Sequence, residues 1–282
     1  PLHTYHHPHQ IPLDISNPSV VEWQLQEYAA TAQAAKFRAL AMDNFDFGNT
    51  GKGCGVFVNG TWKQLFTGAT EDPAFVAAVV AWVRAFSSGA RSKYGLATVP
   101  NFSLVGQSPD DPLVQAVGNA TDGVLSEHGF SSWGQGLVDA DALESMLVWM
   151  GRLQAAGKAY FSINECRTAP TPTIRQSILA MYLLGREQSA GVFISGVQQY
   201  GNASMFPEYG AAVGKALSPF NRTGQVFTRH LSGAYVVVNA GSTHVAGLPL
   251  PVAGLASLAG VVYNTTLALE PSTGVVLLLP HS

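Results

Sequence analysis

Six short runs rich in apolar and β-branched residues recur along the chain, at 39–43, 95–101, 123–127, 159–165, 191–195 and 234–239, and most close on a polar or acidic residue. Near-continuous apolarity over a few residues is the pattern of a strand covered on both faces, whereas a half-exposed strand alternates. Helix signals lie between the runs. Asn17-Pro18, Asp72-Pro73 and Asp111-Pro112 each set a capping side chain before a proline, whose missing N–H does no harm at the first helical position. They predict helices reaching Ala35, running through Phe86, and a shorter third one. Asp139 or Asp141 opens a fourth through Gln154, and Pro172 precedes a fifth ending near Gly185. Strand, helix, strand, repeated, selects a parallel sheet sheathed by helices.

Such a sheet is either a closed barrel or an open doubly wound one. No glycine-rich dinucleotide fingerprint follows any run, and acidic or polar residues close several different runs, as when one site is assembled at a barrel mouth. The expected fold is therefore α/β, a (β/α)8-type TIM barrel over 1–240. Only six or seven core strands are visible, so the barrel is expected to be irregular or incomplete at its N-terminal side, with Leu2–Tyr5 as one further strand candidate. Beyond Val226 the short runs Tyr235–Asn239, Val261–Leu269 and Val275–Leu279 are separated by Gly, Pro and Ser clusters. These predict a last barrel strand and then a small antiparallel β segment at 241–282.

Composition narrows the partners. The 282 residues are 47% hydrophobic and only 12% charged, which excludes disorder, and a net charge of -3 leaves no basic surplus for nucleic acid. Six of the eleven Asn stand in N-x-Ser/Thr sequons: Asn59, Asn101, Asn119, Asn202, Asn221 and Asn264. With 39 Ser and Thr in the chain, chance gives about 1.5. Coincidence is the bland account; the sharper one is a secreted or cell-surface glycoprotein whose glycans replace missing surface charge. A first residue of Pro1 rather than Met fits a removed signal peptide or the boundary of a longer chain. The window Val252–Val262 is too short to span a membrane, so no transmembrane segment is expected. Cys54 and Cys166 are either two separate thiols or one long-range disulfide; a secretory compartment favours the disulfide.

Three carboxylates close three separate runs: Asp43, Glu127 and Glu165, with Asp46 near the first. Cleaving a glycosidic bond needs one carboxylic acid to protonate the leaving oxygen and a second as nucleophile or base. The competing account is that these acids cap the next helices or pair with Arg38, Arg167 or Arg175. Sugar sites also need amides and aromatic platforms. Asn44, Phe45, Asn101, Phe102, Trp133, Asn164, Gln198, Gln199 and Tyr200 fall in or beside the expected loops, while Trp82 and Trp149 lie on apolar helix faces and read as core. Asn101 cannot both line a site and carry a glycan. The histidines at 3, 6, 7 and 9 lack acidic or Cys partners at ligand spacing, Gly48–Gly55 lacks the Ser/Thr of a phosphate loop, Ser195-Gly196 is no nucleophile elbow, and Asp139-Ala-Asp141 lacks the rest of a calcium loop. No metal or cofactor is expected; a carbohydrate substrate is.

The stretches LDISNPSVVEW (Leu13–Trp23), ALAMDNFDFGN (Ala39–Asn49), CGVFVNGTWKQLF (Cys54–Phe66), DGVLSEHGF (Asp122–Phe130), AYFSINEC (Ala159–Cys166) and GVFISGVQQYG (Gly191–Gly201) resemble the hypothetical glycosyl hydrolase family 15 of plants, algae and microbes. The helix start Asp14-x-x-Asn17-Pro18 followed by the strand end Leu40-Ala-Met-Asp43-Asn44 is also similar to barrel enzymes of the dextranase and α-galactosidase type. That resemblance implies Asp43 as nucleophile and a later carboxylate as acid/base, Glu127 first and Glu165 second. Asn164-Glu165 resembles the acid/base motif of another barrel clan. The rival class is a non-catalytic carbohydrate-binding or structural glycoprotein built on the same barrel.

Overall fold

In a computed structural model of the chain, the described residues are 13–48, 54–69, 71–196 and 205–280. Contacts divide the chain into two units, Pro1–Phe102 with Asp110–Val124, and Ser103–Pro109 with Leu125–Ser282.

The first unit runs α1 (Pro18–Ala34), β1 (Ala39–Met42), β2 (Gly55–Val58), β3 (Thr61–Gln64), α2 (Pro73–Tyr94), β4 (Ala97–Pro100) and α3 (Pro112–Ala120). All three helices start where the Asx-Pro pairs place them: Asn17, Asp72 and Asp111 each accept a backbone N–H of the first turn. Helix α2 outruns its expected end at Phe86 and stops only at Gly95, whose φ of 65° is the left-handed cap that glycine tolerates. β1 and β4 pair in parallel, Ala39 opposite Ala97 and Met42 opposite Pro100. Val21, Leu25, Ala29 and Ala32 of α1, at helical spacing, meet Val83, Phe86 and Ala90 of α2 over Leu40 and Met42. By length and composition alone α2 is apolar enough to cross a membrane, with a mean hydropathy of 1.3; one of its faces packs in this core.

β2 and β3 form a hairpin that was not expected from the sequence. Phe57 faces Trp62, and the two-residue turn Asn59-Gly60 has φ of 50° and 79°, both positive as a primed turn requires.

The second unit continues with β5 (Gly123–Ser126), whose first residues belong to the first unit, then α4 (Ala140–Ala155), β6 (Ala159–Cys166), α5 (Pro172–Gly185) and β7 (Ala190–Gly196). The sheet order is β5-β6-β7, with β6 and β7 parallel, Glu165 opposite Ser195. Asp139 caps α4 and Thr171 caps α5. Then come β8 (Asn221–Thr223), β9 (Val226–His230), β10 (Ala234–Asn239), β11 (Val245–Pro249), β12 (Leu255–Ser257), β13 (Val262–Tyr263), β14 (Thr266–Leu269) and β15 (Thr273–Leu278).

β10 corrects one expectation. It was read as the last parallel strand, but it lies antiparallel to both β9 and β15, inside a six-stranded sheet of order β13-β12-β15-β10-β9-β8. It is apolar throughout because both of its faces are covered, which parallel and sandwiched antiparallel strands share. On one side Tyr235 and Val237 join Leu267 and Leu269 of the β11–β14 pair; on the other, Val238 and Gly274 lie against α5. Hence α5 is buried all round from Ser177 to Gly185. Its C-terminal carbonyls are satisfied by buried Arg229 of β9, which donates to Leu183, Leu184 and Arg186 at 3.2, 2.8 and 3.0 Å.

Candidate active site

In the first unit, β1 ends into Asp43 and β4 into Asn101, and the Asn101 N–H donates to the Met42 carbonyl at 2.7 Å, continuing the pairing past both strands. Asn44 then takes a φ of 51°, a left-handed turn that Asn tolerates. That turn lets the Asn44 N–H reach Asp43 Oδ1 at 2.9 Å. The Asn101 side chain donates Nδ2–H to the same oxygen, also at 2.9 Å. The result is an exposed carboxylate held at two neighbouring strand ends by amide donors. Asn101 thus sits beside Asp43, and the atom that would carry its glycan is engaged there. Asp46 accepts from the Gly48 N–H at 3.0 Å and is exposed.

Phe45 and Phe102, read as platform candidates, are packing instead. With Phe47 they form a triangle of edge-to-face rings, centroids 5.8–6.0 Å apart, and Phe102 is buried. The triangle ties the two strand-end loops together beneath Asp43 and Asn101.

In the second unit, Glu127 follows β5 directly and is half-buried. The next residues are tightly fixed. The His128 N–H donates to Ser103 Oγ at 3.2 Å, Ser132 Oγ meets His128 Nε2 at 3.1 Å, and the Trp133 ring stands edge-on to the imidazole at 4.6 Å. Burial holds the His128 pKa below the ordinary histidine value, against the pull of the Gly129 carbonyl. Ser132, Trp133 and Gly134 have φ of 47°, 49° and 74°, three left-handed residues in succession. Left-handed backbone is costly for Ser and Trp, and it turns the indole outward, 47% exposed, as a ring platform needs.

Glu165 and Asn164 are adjacent in β6 and so point to opposite faces, which the alternating burial of the strand records. Glu165 is half-buried on one face. Asn164 is 0% exposed on the other, where its Oδ1 accepts from the Phe130 N–H at 2.6 Å and its Nδ2 donates to Ser162 and to the Phe193 carbonyl. Its amide has no group left for a ligand, so Asn164 locks the Glu127 loop to β6 and β7 instead of binding substrate. Gly129 completes the lock: at φ 55° its missing Cβ is what allows the Ile163 carbonyl and Asn164 to approach.

The expected disulfide is absent. Cys54 opens the β2–β3 hairpin in the first unit and Cys166 ends β6 in the second, and each is a thiol. Burial raises both thiol pKa values, and the Glu165 charge raises that of Cys166 further, so neither tends to the reactive thiolate. Nearby, burial pushes Tyr160 up to about 12. Asn59, Asn119, Asn221 and Asn264 are exposed. Gln198, Tyr200 and Asn202, like Gln199, the N-terminal histidines and Leu2–Tyr5, lie outside the described residues. Among the described residues no three His, Cys, Asp or Glu side chains gather as metal ligands would. The sequence reading missed a buried pair, Arg175 with Glu208, because Glu208 lies in an irregular segment with no periodic pattern around it.

No protein-family model matches the sequence, and no curated protein does. Solved structures do. A family GH13_31 enzyme superposes with a TM-score of 0.52 at 16% identity, over 95% of this chain and 69% of its own. An α-amylase from Malbranchea cinnamomea gives 0.47 at 12%, over 94% and 61%, and a trehalose-6-phosphate hydrolase from Bacillus licheniformis 0.44 at 9%, over 93% and 68%. This chain thus spans about three fifths to two thirds of their lengths. The first likeness establishes the kind of fold: strands and helices of the TIM-barrel, amylase type, followed by an antiparallel sheet.

Proposed function

We propose that the chain is a glycoside hydrolase that cleaves a polysaccharide or glycan with retention, in the manner the resemblance to hypothetical glycosyl hydrolase family 15 implies, and that it is a secreted glycoprotein. The observation that carries this reading is the Asp43 carboxylate, exposed at a strand end and oriented by Asn101 and Asn44 through amide hydrogen bonds. The fold shared with the family GH13_31 enzyme supports it. Four exposed sequons support glycosylation.

Asp43 attacks the anomeric carbon as the glycosidic C–O bond breaks, and Glu127 gives its proton to the leaving oxygen. Glu127 then takes a proton from water, which displaces Asp43 from the sugar. Retention requires the two carboxyl groups roughly 5–5.5 Å apart; inversion requires about 6.5–9.5 Å. Glu165 is the second choice for the acid/base, and Asp46, Asn44, Gln198 and Tyr200 position the sugar, with Trp133 as a stacking ring.

Hydrolysis of a polysaccharide panel tests the proposal, with Asp43→Asn as control. That substitution keeps the shape and the Asn101 contact but removes the nucleophile, so product release should fall on the order of 10³-fold or more. Undiminished release would refute the role of Asp43. Binding without release by the unsubstituted chain would favour the non-catalytic glycoprotein instead.

A further inference from the structure

The second unit buries one carboxylate that the reaction above does not use. A short turn at Pro207–Gly210 carries Glu208 inward, where Oε1 accepts from Arg175 Nε at 3.0 Å and Nη2 at 2.7 Å. The two side chains are only 17% and 14% exposed. Arg175 is fixed further by the Pro170 carbonyl at 2.9 Å and by the Phe206 ring, 4.6 Å from its guanidinium carbon. Both hydrogen bonds thus fall on one oxygen. The other, Oε2, is buried without a hydrogen-bond partner. A buried carboxylate oxygen without a donor is unfavourable unless something supplies one.

Beside it lies a cleft of about 560 Å³, walled by Arg175, Gln176 and Glu208 on one side and by Leu258, Ala259 and Leu278 of the antiparallel sheet on the other. That volume falls in the range of small-molecule sites, roughly 300–1,000 Å³. Its chemistry is specific. The Arg175 and Glu208 charges cancel, so the cleft favours neither an anion nor a cation. Oε2 demands a hydrogen donor, the Gln176 amide offers both a donor and an acceptor, and the opposite wall is aliphatic. A hydroxyl donates and accepts, and a sugar ring adds an apolar C–H face for the aliphatic wall.

We propose that this cleft binds a neutral polyhydroxylated ligand, a monosaccharide unit or a smaller polyol, with one hydroxyl donating to Glu208 Oε2 and the C–H face resting on Leu258 and Leu278. The site involves neither Asp43 nor Glu127 and stands whether or not the chain hydrolyses glycans.

Isothermal titration with D-glucose, D-galactose, D-mannose and glycerol tests it, alongside the charged analogues D-glucosamine and D-glucuronate. At least one neutral ligand should bind saturably, about tenfold or more tighter than its charged analogue. Glu208→Gln removes the charge that offsets Arg175, and Ala259→Trp fills the cleft from an exposed position outside the core. Each should weaken binding about tenfold or more; where Glu208→Gln impairs folding, Ala259→Trp decides, with an unchanged melting temperature as its control. Absence of saturable binding by the unsubstituted chain, preference for a charged analogue, or undiminished affinity in Ala259→Trp would overturn the proposal. Affinity that survives Ala259→Trp but vanishes in Asp43→Asn would place the ligand at the strand-end site and overturn it equally.

Discussion

Asn164→Ala is expected to destabilise the second unit by about 2–4 kcal/mol. The Phe130 N–H loses its acceptor in a buried setting, and a buried donor without a partner costs roughly 1–3 kcal/mol. Ser162 and the Phe193 carbonyl each lose a donor, though both keep other lone pairs, so their share is the smaller one. Urea unfolding followed by far-UV circular dichroism measures the loss, and the melting temperature should fall by about 4–16 °C for a unit of this size. Asn164→Asp separates hydrogen bonding from packing. It keeps an acceptor for Phe130 but sets a buried carboxylate against the Ser162 and Phe193 carbonyls, which raises its folded pKa above the unfolded value of about 3.9. The penalty is then full above the folded pKa and vanishes below the unfolded one. Asn164→Asp should be less stable than Asn164→Ala at pH 7 and should gain on it as pH falls toward about 4. A loss under about 1 kcal/mol in Asn164→Ala, or an Asn164→Asp variant indifferent to pH, would refute the assignment of Asn164 as the internal lock.

Two further outcomes follow from the same loops. His128 has a folded pKa held below its unfolded value by burial, so its contribution to stability is present above the unfolded value, about 6.5, and is lost as pH falls through the folded one; hydrogen exchange at 128–134 should quicken over that window, and His128→Gln should flatten the dependence. Because Asn101 Nδ2 is engaged by Asp43, glycopeptide mass spectrometry of protein from a secretory host should find sugar on exposed Asn59, Asn119, Asn221 and Asn264 and none on Asn101.

The helices were legible because their start signals are local: an Asx or Thr side chain followed by proline fixes the first turn whatever packs later. Burial, by contrast, is a tertiary property. The uniform apolarity of Ala234–Asn239 records that both faces are covered and says nothing of whether neighbours run parallel or antiparallel. The β2–β3 hairpin did have a local signal, Asn59-Gly60 between Val-Phe-Val and Thr-Trp, but there the same Asn read as a sequon. In the candidate site, strand-end position was enough to mark Asp43. It could not separate Glu165 from Asn164, because one residue along a strand reverses the face.

The competing account of the strand-end acids was that they cap the following helices or pair with nearby arginines. The helix after Asp43 is capped by Asp72, which also takes the Thr67 N–H and hydroxyl at 2.5 and 2.8 Å. The helix after Glu127 is capped by Asp139, and the one after Glu165 by Thr171. Arg175 is committed to Glu208 and Arg167 to Gln135. In a chain with only eighteen acidic residues, structural acids are easy to recognise by such partners: Asp122 holds Arg91 and the Thr98 N–H, and Asp141 and Glu144 share Arg222. Asp43 is held differently, by neutral amides, at the surface, where a strand ends. Amide donors orient a carboxylate without neutralising it, which leaves its charge for whatever approaches. That distinction, more than strand-end position, separates Asp43 from the acids that hold the fold together.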